Sequence, residues 1–215
     1  MTTGETAVWV PTPMRSPPAE KLSFEEFHDW LDEDTWAEWV NGEVQMVSPA
    51  SLRHQQLASF LWVLLDAWIE VDDMGIVLQA PFLMRLPPPL DRAREPDLLF
   101  VAKEHRDRLH ATYLDGPADL VIEITSPESL GRDRGDKFVE YEQAGVREYW
   151  LLDPERRRAE FYQLGTDGRY RVFLAGAAGE YLSPTLAGLK LPVDWLWREP
   201  LPKVVDALRT LGLVG

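Results

Sequence analysis

The sequence predicts a mixed α/β, or α+β, fold: a mixed sheet flanked by helices, with extra hairpins. Three observations carry this. The patterns run in the order helix, three or four strands, helix, strands, which builds a sheet with helices packed on it. Leu57, Leu61, Leu64, Leu65 and Trp68 recur at helical spacing between Ser51 and about Asp72, marking a long amphipathic helix whose apolar stripe needs a sheet to cover it. The stretch DLVIEIT, Asp119 to Thr125, alternates with period two: Leu120, Ile122 and Ile124 take one face, and Asp119, Val121, Glu123 and Thr125 the other.

The elements follow in order. Residues 1–20 form a Pro-rich N-terminal arm, densest from Thr12 to Pro18, and 21–215 a single domain. The first helix starts at Ser23, with Glu26 completing a capping box and Leu22 and Phe27 at the staple positions. Trp36 to Val47 reads as a hairpin through Asn41-Gly42, with Glu43 directly after the turn. His54 falls in the first turn of the long helix, on the side of Leu57. Strands are expected at Ile76 to Met84 and Glu95 to Val101, separated by Pro87-Pro88-Pro89; in the second, Asp97, Leu99 and Val101 share a face. A helix follows from about Arg132 to Ala144, with Lys137 and Tyr141 one turn apart and Gly145 as its stop. Val146 to Leu152 continues as a strand into a further hairpin through Asp167-Gly168. A short strand in GLKLPV and a helix within Pro200 to Leu211 close the chain, their Leu and Trp residues belonging to the core.

Composition narrows the function. A chain of 215 residues with 45% apolar content suits one globular domain. It holds no cysteine, which excludes a disulfide scaffold, a zinc–cysteine site and a cysteine nucleophile. The N-terminal residues lack a secretory pattern, and the longest apolar run, Phe60 to Ile69, is broken by Asp66 and too short for a bilayer, so a cytoplasmic protein without a membrane segment is expected. The net charge, 22 − 36 = −14, repels nucleic acid at long range. Local basic groups would have to offset it: Arg92 and Arg94; Arg132, Arg134 and Lys137; or Arg156 to Arg158. Such runs more often read as solvated turns than as binding sites.

The chemistry centres on Glu123. A carboxylate in the middle of a β-branched strand costs on the order of several kcal/mol unless a cation, a metal or a donor meets it. Asp97 on a neighbouring strand would complete half of an octahedral oxygen site suited to Mg²⁺, which Mn²⁺ can replace, and a nearby lysine would stabilise charge at phosphorus. The plain structural alternative has both acids ion-paired to Arg and Lys, pinning the sheet. A glycosidase using this acid pair and the nine tryptophans is a further alternative, although Trp62 and Trp68 stand at core spacing. Neither a GxSxG elbow nor a P-loop occurs.

The segments EPDLLFV, DLVIEITSP, GRDRGDK, YEQAGV and EYWLLDP, in this order between SPASLRHQ and GLKLPV, resemble the Uma family of putative restriction endonucleases, a branch of the PD-(D/E)XK nuclease superfamily. The resemblance implies a restriction-endonuclease-like αβββαβ core. It implies that Asp97, after Pro96, and Glu123 bind the metal. The superfamily lysine is expected two residues beyond Glu123, where this chain has Thr125; Lys137 on the following helix is the residue that matches instead. Glu43 and His54 match recurrent family positions and would extend the site as an outer acid or a phosphate contact. The implied function is a Mg²⁺-dependent endonuclease hydrolysing DNA phosphodiester bonds with metal-activated water, acting by analogy as a homodimer. Thr125 and the charge of −14 motivate the alternative, a catalytically inactive nuclease-fold interaction module.

Overall fold

The computed structural model describes residues 16–32, 34–127 and 129–214, so most of the predicted arm lies outside the described residues. Helix α1 (Phe24–Trp30) begins where the sequence marks it: Ser23 Oγ accepts from Glu26 N at 3.2 Å and Glu26 Oε2 accepts from Ser23 N at 2.8 Å. Leu22 and Phe27 join one apolar cluster with Phe24 and Trp39. Strands β1 (Ala37–Val40) and β2 (Glu43–Met46) form the predicted hairpin. Asn41 and Gly42 take φ of 52° and 88°, as a two-residue turn that matches strand twist requires. Helix α2 (Leu52–Val71) is capped by Ser51, whose side chain accepts from His54 N.

Between α2 and the next helix the chain divides its strands over two sheets. β3 (Gly75–Gln79), β6 (Leu98–Ala102) and β8 (Leu120–Ile124) belong to one; β4 (Leu83–Leu86), β5 (Arg92–Arg94) and β7 (Tyr113–Asp115) belong to the other, with β1 and β2. The single strand expected over Ile76 to Met84 is therefore two strands in different sheets. Pro81 has no N–H to donate, so the ladder stops there. The expected strand Glu95 to Val101 likewise starts its regular pairing only at Leu98. Before the next helix the chain thus crosses between sheets four times, at residues 80–82, 95–97, 103–112 and 116–119, and the second crossing carries Glu95 and Asp97.

The helical stretch after β8 has three parts: α3 (Leu130–Arg132), a π-helical turn (Asp133–Lys137) and α4 (Phe138–Ala144), ending at Gly145 with φ of 88°. It returns the chain to β9 (Glu148–Asp153), which lies parallel to β8. α2, β3, β6, β8, α4 and β9 are the predicted αβββαβ core. β10 (Arg158–Leu164) and β11 (Tyr170–Gly176) extend its sheet to the order β11-β10-β9-β8-β6-β3. β12 (Glu180–Leu182), β13 (Lys190–Pro192) and α5 (Val204–Thr210) close the chain.

The period-two expectation holds on both central strands. Leu98, Phe100, Leu120, Ile122 and Ile124 pack with Leu57, Leu61, Leu64 and Leu65 of α2. Leu99, Val101 and Val121 pack on the other face with Tyr141 and Tyr149. Each leucine sealed in this way contributes roughly 1.5–3 kcal/mol of burial. Trp62 and Trp68 pack partly buried against the first face, as their spacing indicated. Among the described residues no helix is long and apolar enough to cross a membrane.

One contact sets how closely β3 meets β6. A Cβ on Gly75 would stand 2.2 Å from the Val101 carbonyl oxygen and 2.7 Å from the Phe100 ring. Gly75→Ala is therefore expected to lose about 1–3 kcal/mol of stability in urea unfolding, the usual cost of overpacking. An unchanged midpoint would show that the two strands can move apart freely.

Candidate active site

A cleft of about 770 Å³ opens where the two sheets meet, and its lining includes Glu38, His54, Glu95, Asp97, Glu123 and Lys137. Glu123 projects from β8 on the face opposite Ile122 and Ile124 and is 3% exposed. Its compensation comes from the helix. Lys137 Nζ donates to Glu123 Oε1 at 2.9 Å and Tyr141 Oη donates to the same oxygen at 2.7 Å. The one-turn spacing of these two residues lets them converge on one atom.

Lys137 is itself enclosed, 3% exposed. Glu38 Oε1 lies 3.0 Å from its ammonium and Asp133 Oδ1 3.6 Å away. Burial alone would lower the lysine pKa; Glu123, Glu38 and Asp133 outweigh it and raise it, so the group stays charged. The π-helical turn holds Asp133 and Lys137 buried on the cleft side, while Arg134, Gly135 and Asp136 are exposed. Such a widened turn often marks a functional position in a helix.

Glu38 ties this centre to the second sheet. Its Oε2 accepts from Arg94 Nη1 at 2.8 Å, and Arg94 in turn makes a two-bond contact with Glu140 on α4, 2.8 Å from Nε and 2.9 Å from Nη2. Burial would raise the Glu38 carboxyl, but Lys137, Arg94 and Arg132 hold it down at about 2. Glu123 shows the opposite balance: burial pushes it above the ordinary carboxylate range, and Asp133, Asp97 and Glu38 add to that against Lys137. Glu95 is pushed up to about 8 by burial and by Glu38.

Asp97 is held from two sides. Ile124 N donates to its Oδ2 at 2.6 Å, and His54 Nε2 stands 3.1 Å from its Oδ1. Burial would lower the His54 imidazole, yet the hydrogen bond and charge of Asp97 raise it. The structure therefore brings Asp97, Glu123, Lys137 and His54 into one cleft. It does not bring Glu43 there: that side chain is 66% exposed at the hairpin turn, 3.5 Å from Lys21. Glu38, Glu95 and Asp133 are the site acids that the sequence reading passed over. Glu38 carried the same signal as Glu123, a carboxylate inside an apolar strand, in WAEWV.

The expected basic patches are mostly spent on internal pairs. Arg92 and Arg94 bind Glu140, Arg134 binds Glu160, Arg156 binds Asp153 and Arg158 binds Glu160. Arg132 and Arg157 remain along the cleft.

Removing one member of a buried ion network leaves the others uncompensated. Lys137→Ala is expected to cost about 3–5 kcal/mol in chemical unfolding. Glu38→Gln combined with Lys137→Ala should lose less than the sum of the two single changes, because each removes the other's unpaired charge. Strict additivity in the double-mutant cycle would contradict the coupling.

Comparison with known proteins agrees with this architecture. No curated protein matches the chain. A crystal structure titled as a putative nuclease belonging to DUF820 from Anabaena variabilis superposes with a TM-score of 0.69 at 16% sequence identity, covering 82% of this chain and 97% of that one, and so has the same fold. The sequence profile of the Uma2 family, described as "Putative restriction endonuclease", matches residues 24–194. That span runs from α1 through β13 and includes every residue of the ion network, so the chain belongs to the Uma2 family of putative restriction endonucleases.

Proposed function

We propose that this nuclease-family protein is a Mg²⁺-dependent endonuclease that hydrolyses phosphodiester bonds in DNA. One observation carries the reading. Lys137 reaches across from the helix to Glu123 at 2.9 Å, in the cleft that Asp97 lines, so acid, acid and lysine stand together although Thr125 occupies the strand position.

The donor set suits a hard divalent ion. Its acids are Asp97 and Glu123, with Glu95 also lining the cleft, and the chain has no thiolate. Both donors to Glu123 sit on Oε1, and Oε2 takes none among the described residues. Each Asp97 oxygen has one protein donor and keeps lone-pair capacity. Among the described residues no three acidic or imidazole groups form a ready-made cluster, and Mg²⁺ commonly binds through one or two carboxylates and keeps several waters. Asp97 and Glu123 would hold the ion. When bound, it would supply positive charge to the phosphoryl oxygens and acidify a water.

The chain's own residues do the rest. Lys137, held charged by three carboxylates, is no proton acceptor; it orients Glu123 and offers fixed positive charge beside the reacting phosphate. Tyr141 and Glu38 set the positions of Glu123 and Lys137. His54 holds Asp97 in register with the end of β8.

Supercoiled plasmid should be nicked by the wild type with Mg²⁺ or Mn²⁺ and left intact with EDTA, and Glu123→Gln should abolish nicking. Activity surviving in that variant would sink the site assignment. A second reading, a catalytically inactive interaction module, draws on the net charge of −14 and on Lys137 being fully paired within the protein. No nicking together with no heat of Mn²⁺ binding would favour it.

We further propose that cutting both strands of a duplex uses two copies of the chain, since a two-fold pair of sites matches a two-fold substrate. Light scattering should then show a mass near twice 24.6 kDa, whereas a lone 24.6 kDa species would argue against it.

A further inference from the structure

We infer that the cleft takes an unpaired stretch of nucleic acid, with one base stacked on Trp36 and the adjoining phosphate held by Arg132. This rests on the nuclease reading and names the form of its substrate.

Trp36 is 43% exposed, whereas Trp39, Trp150, Trp195 and Trp197 are all buried. It lines the cleft together with Met46, itself 37% exposed. Its position follows from strand geometry. Ala37 and Trp39 pack into the cluster beneath β1, so Trp36 and Glu38 leave the chain on the other side. Two residues of extended chain separate them by about 7 Å. Glu38 points at Lys137, so the indole stands one side-chain row from the charged centre. An indole there offers a flat apolar face at the mouth of a polar cleft.

Arg132 also lines the cleft, in the first helical turn after β8. Among the described residues its buried Nε has no hydrogen-bond partner and Glu38 Oε2 lies 4.0 Å from it, while the side chain as a whole is 33% exposed. Other arginines of the chain hold their carboxylates far closer: Arg94, Arg156 and Arg158 at 2.8 Å, and Arg169 at 2.7 Å. Arg132 therefore keeps donor capacity beside the site, in the planar geometry that suits a phosphate.

Two physical constraints select an unpaired strand. In an intact duplex both faces of each internal base are already stacked, so a side-wall indole gains a base face only where a base is free. A chain of net charge −14 also meets less repulsion from one phosphate backbone over the acidic floor of Glu38, Glu95, Asp97 and Glu123 than from two.

The test is fluorescence anisotropy of the 215-residue chain with a short labelled single-stranded oligonucleotide and its blunt duplex, with Ca²⁺ replacing Mg²⁺ to limit hydrolysis. The single strand should bind at least about tenfold more tightly than the duplex. Trp36→Ala should lose about tenfold on the single strand alone, within the range of one base–aromatic stack, and Trp36→Phe should retain most of the binding. Arg132→Gln should reduce the slope of log affinity against log salt by about 0.7, the share of one phosphate contact on a single strand. Urea midpoints of the variants check folding. Equal or tighter duplex binding, with single-strand affinity indifferent to Trp36, would overturn this inference while Mg²⁺-dependent plasmid cleavage upheld the nuclease. Binding of neither oligonucleotide, with no cleavage, would overturn both.

Discussion

A lysine ammonium sealed among three carboxylates is the constraint on which the rest depends. Neither Lys137 nor Glu123 could be buried alone, since an uncompensated ion inside a protein costs several kcal/mol and would titrate or drag in water. Their pairing at 2.9 Å, with Glu38 at 3.0 Å on the other side, makes three parts of the chain interdependent: β8 in one sheet, β1 in the other and the helix between them. Arg94 repeats the device one layer further out by joining Glu38 to Glu140. Charged groups thus do at this junction what apolar packing does across the faces of the sheet.

The junction also explains why the site lies where it does. Strands that stay within a sheet have their main-chain groups paired and their faces covered. Where the chain leaves one sheet for the other, between Arg94 and Leu98, regular pairing lapses and the side chains of Glu95 and Asp97 reach a cleft. The end of β8 lies beside that crossing, which is how Ile124 N comes to hold Asp97. A rigid scaffold with an interrupted edge can present carboxylates that are partly desolvated yet open to a ligand, as charge-dependent chemistry requires.

Local signals were legible wherever a few neighbouring residues decide the backbone. The capping box at Ser23, the Asn41-Gly42 turn, the stop at Gly145 and the alternation through Glu123 all appear where the sequence places them. The strand boundaries around Pro81 and Pro96 differ from the expected ones because apolar periodicity reports burial, not which sheet a segment joins. Glu43 and Glu38 show the same limit for function. Both are hairpin acids; the one beside the turn is exposed, and the one within the apolar strand meets Lys137 from 99 positions earlier in the chain.

The sequence by itself determined the order of helix, strands, helix and strands and the faces of the two central strands, because these follow from side-chain period, capping and turn chemistry over short stretches; the αβββαβ core, with Asp97 and Glu123 as its acids, is what the family resemblance implied. Only the tertiary structure decided that the Lys137 ammonium meets Glu123 at 2.9 Å, that Glu38 pairs with the same ammonium and that most arginines are spent on internal pairs. Those outcomes depend on which charges meet in three dimensions. Electrostatic energy depends on distance and burial through space, and separation along the chain records neither.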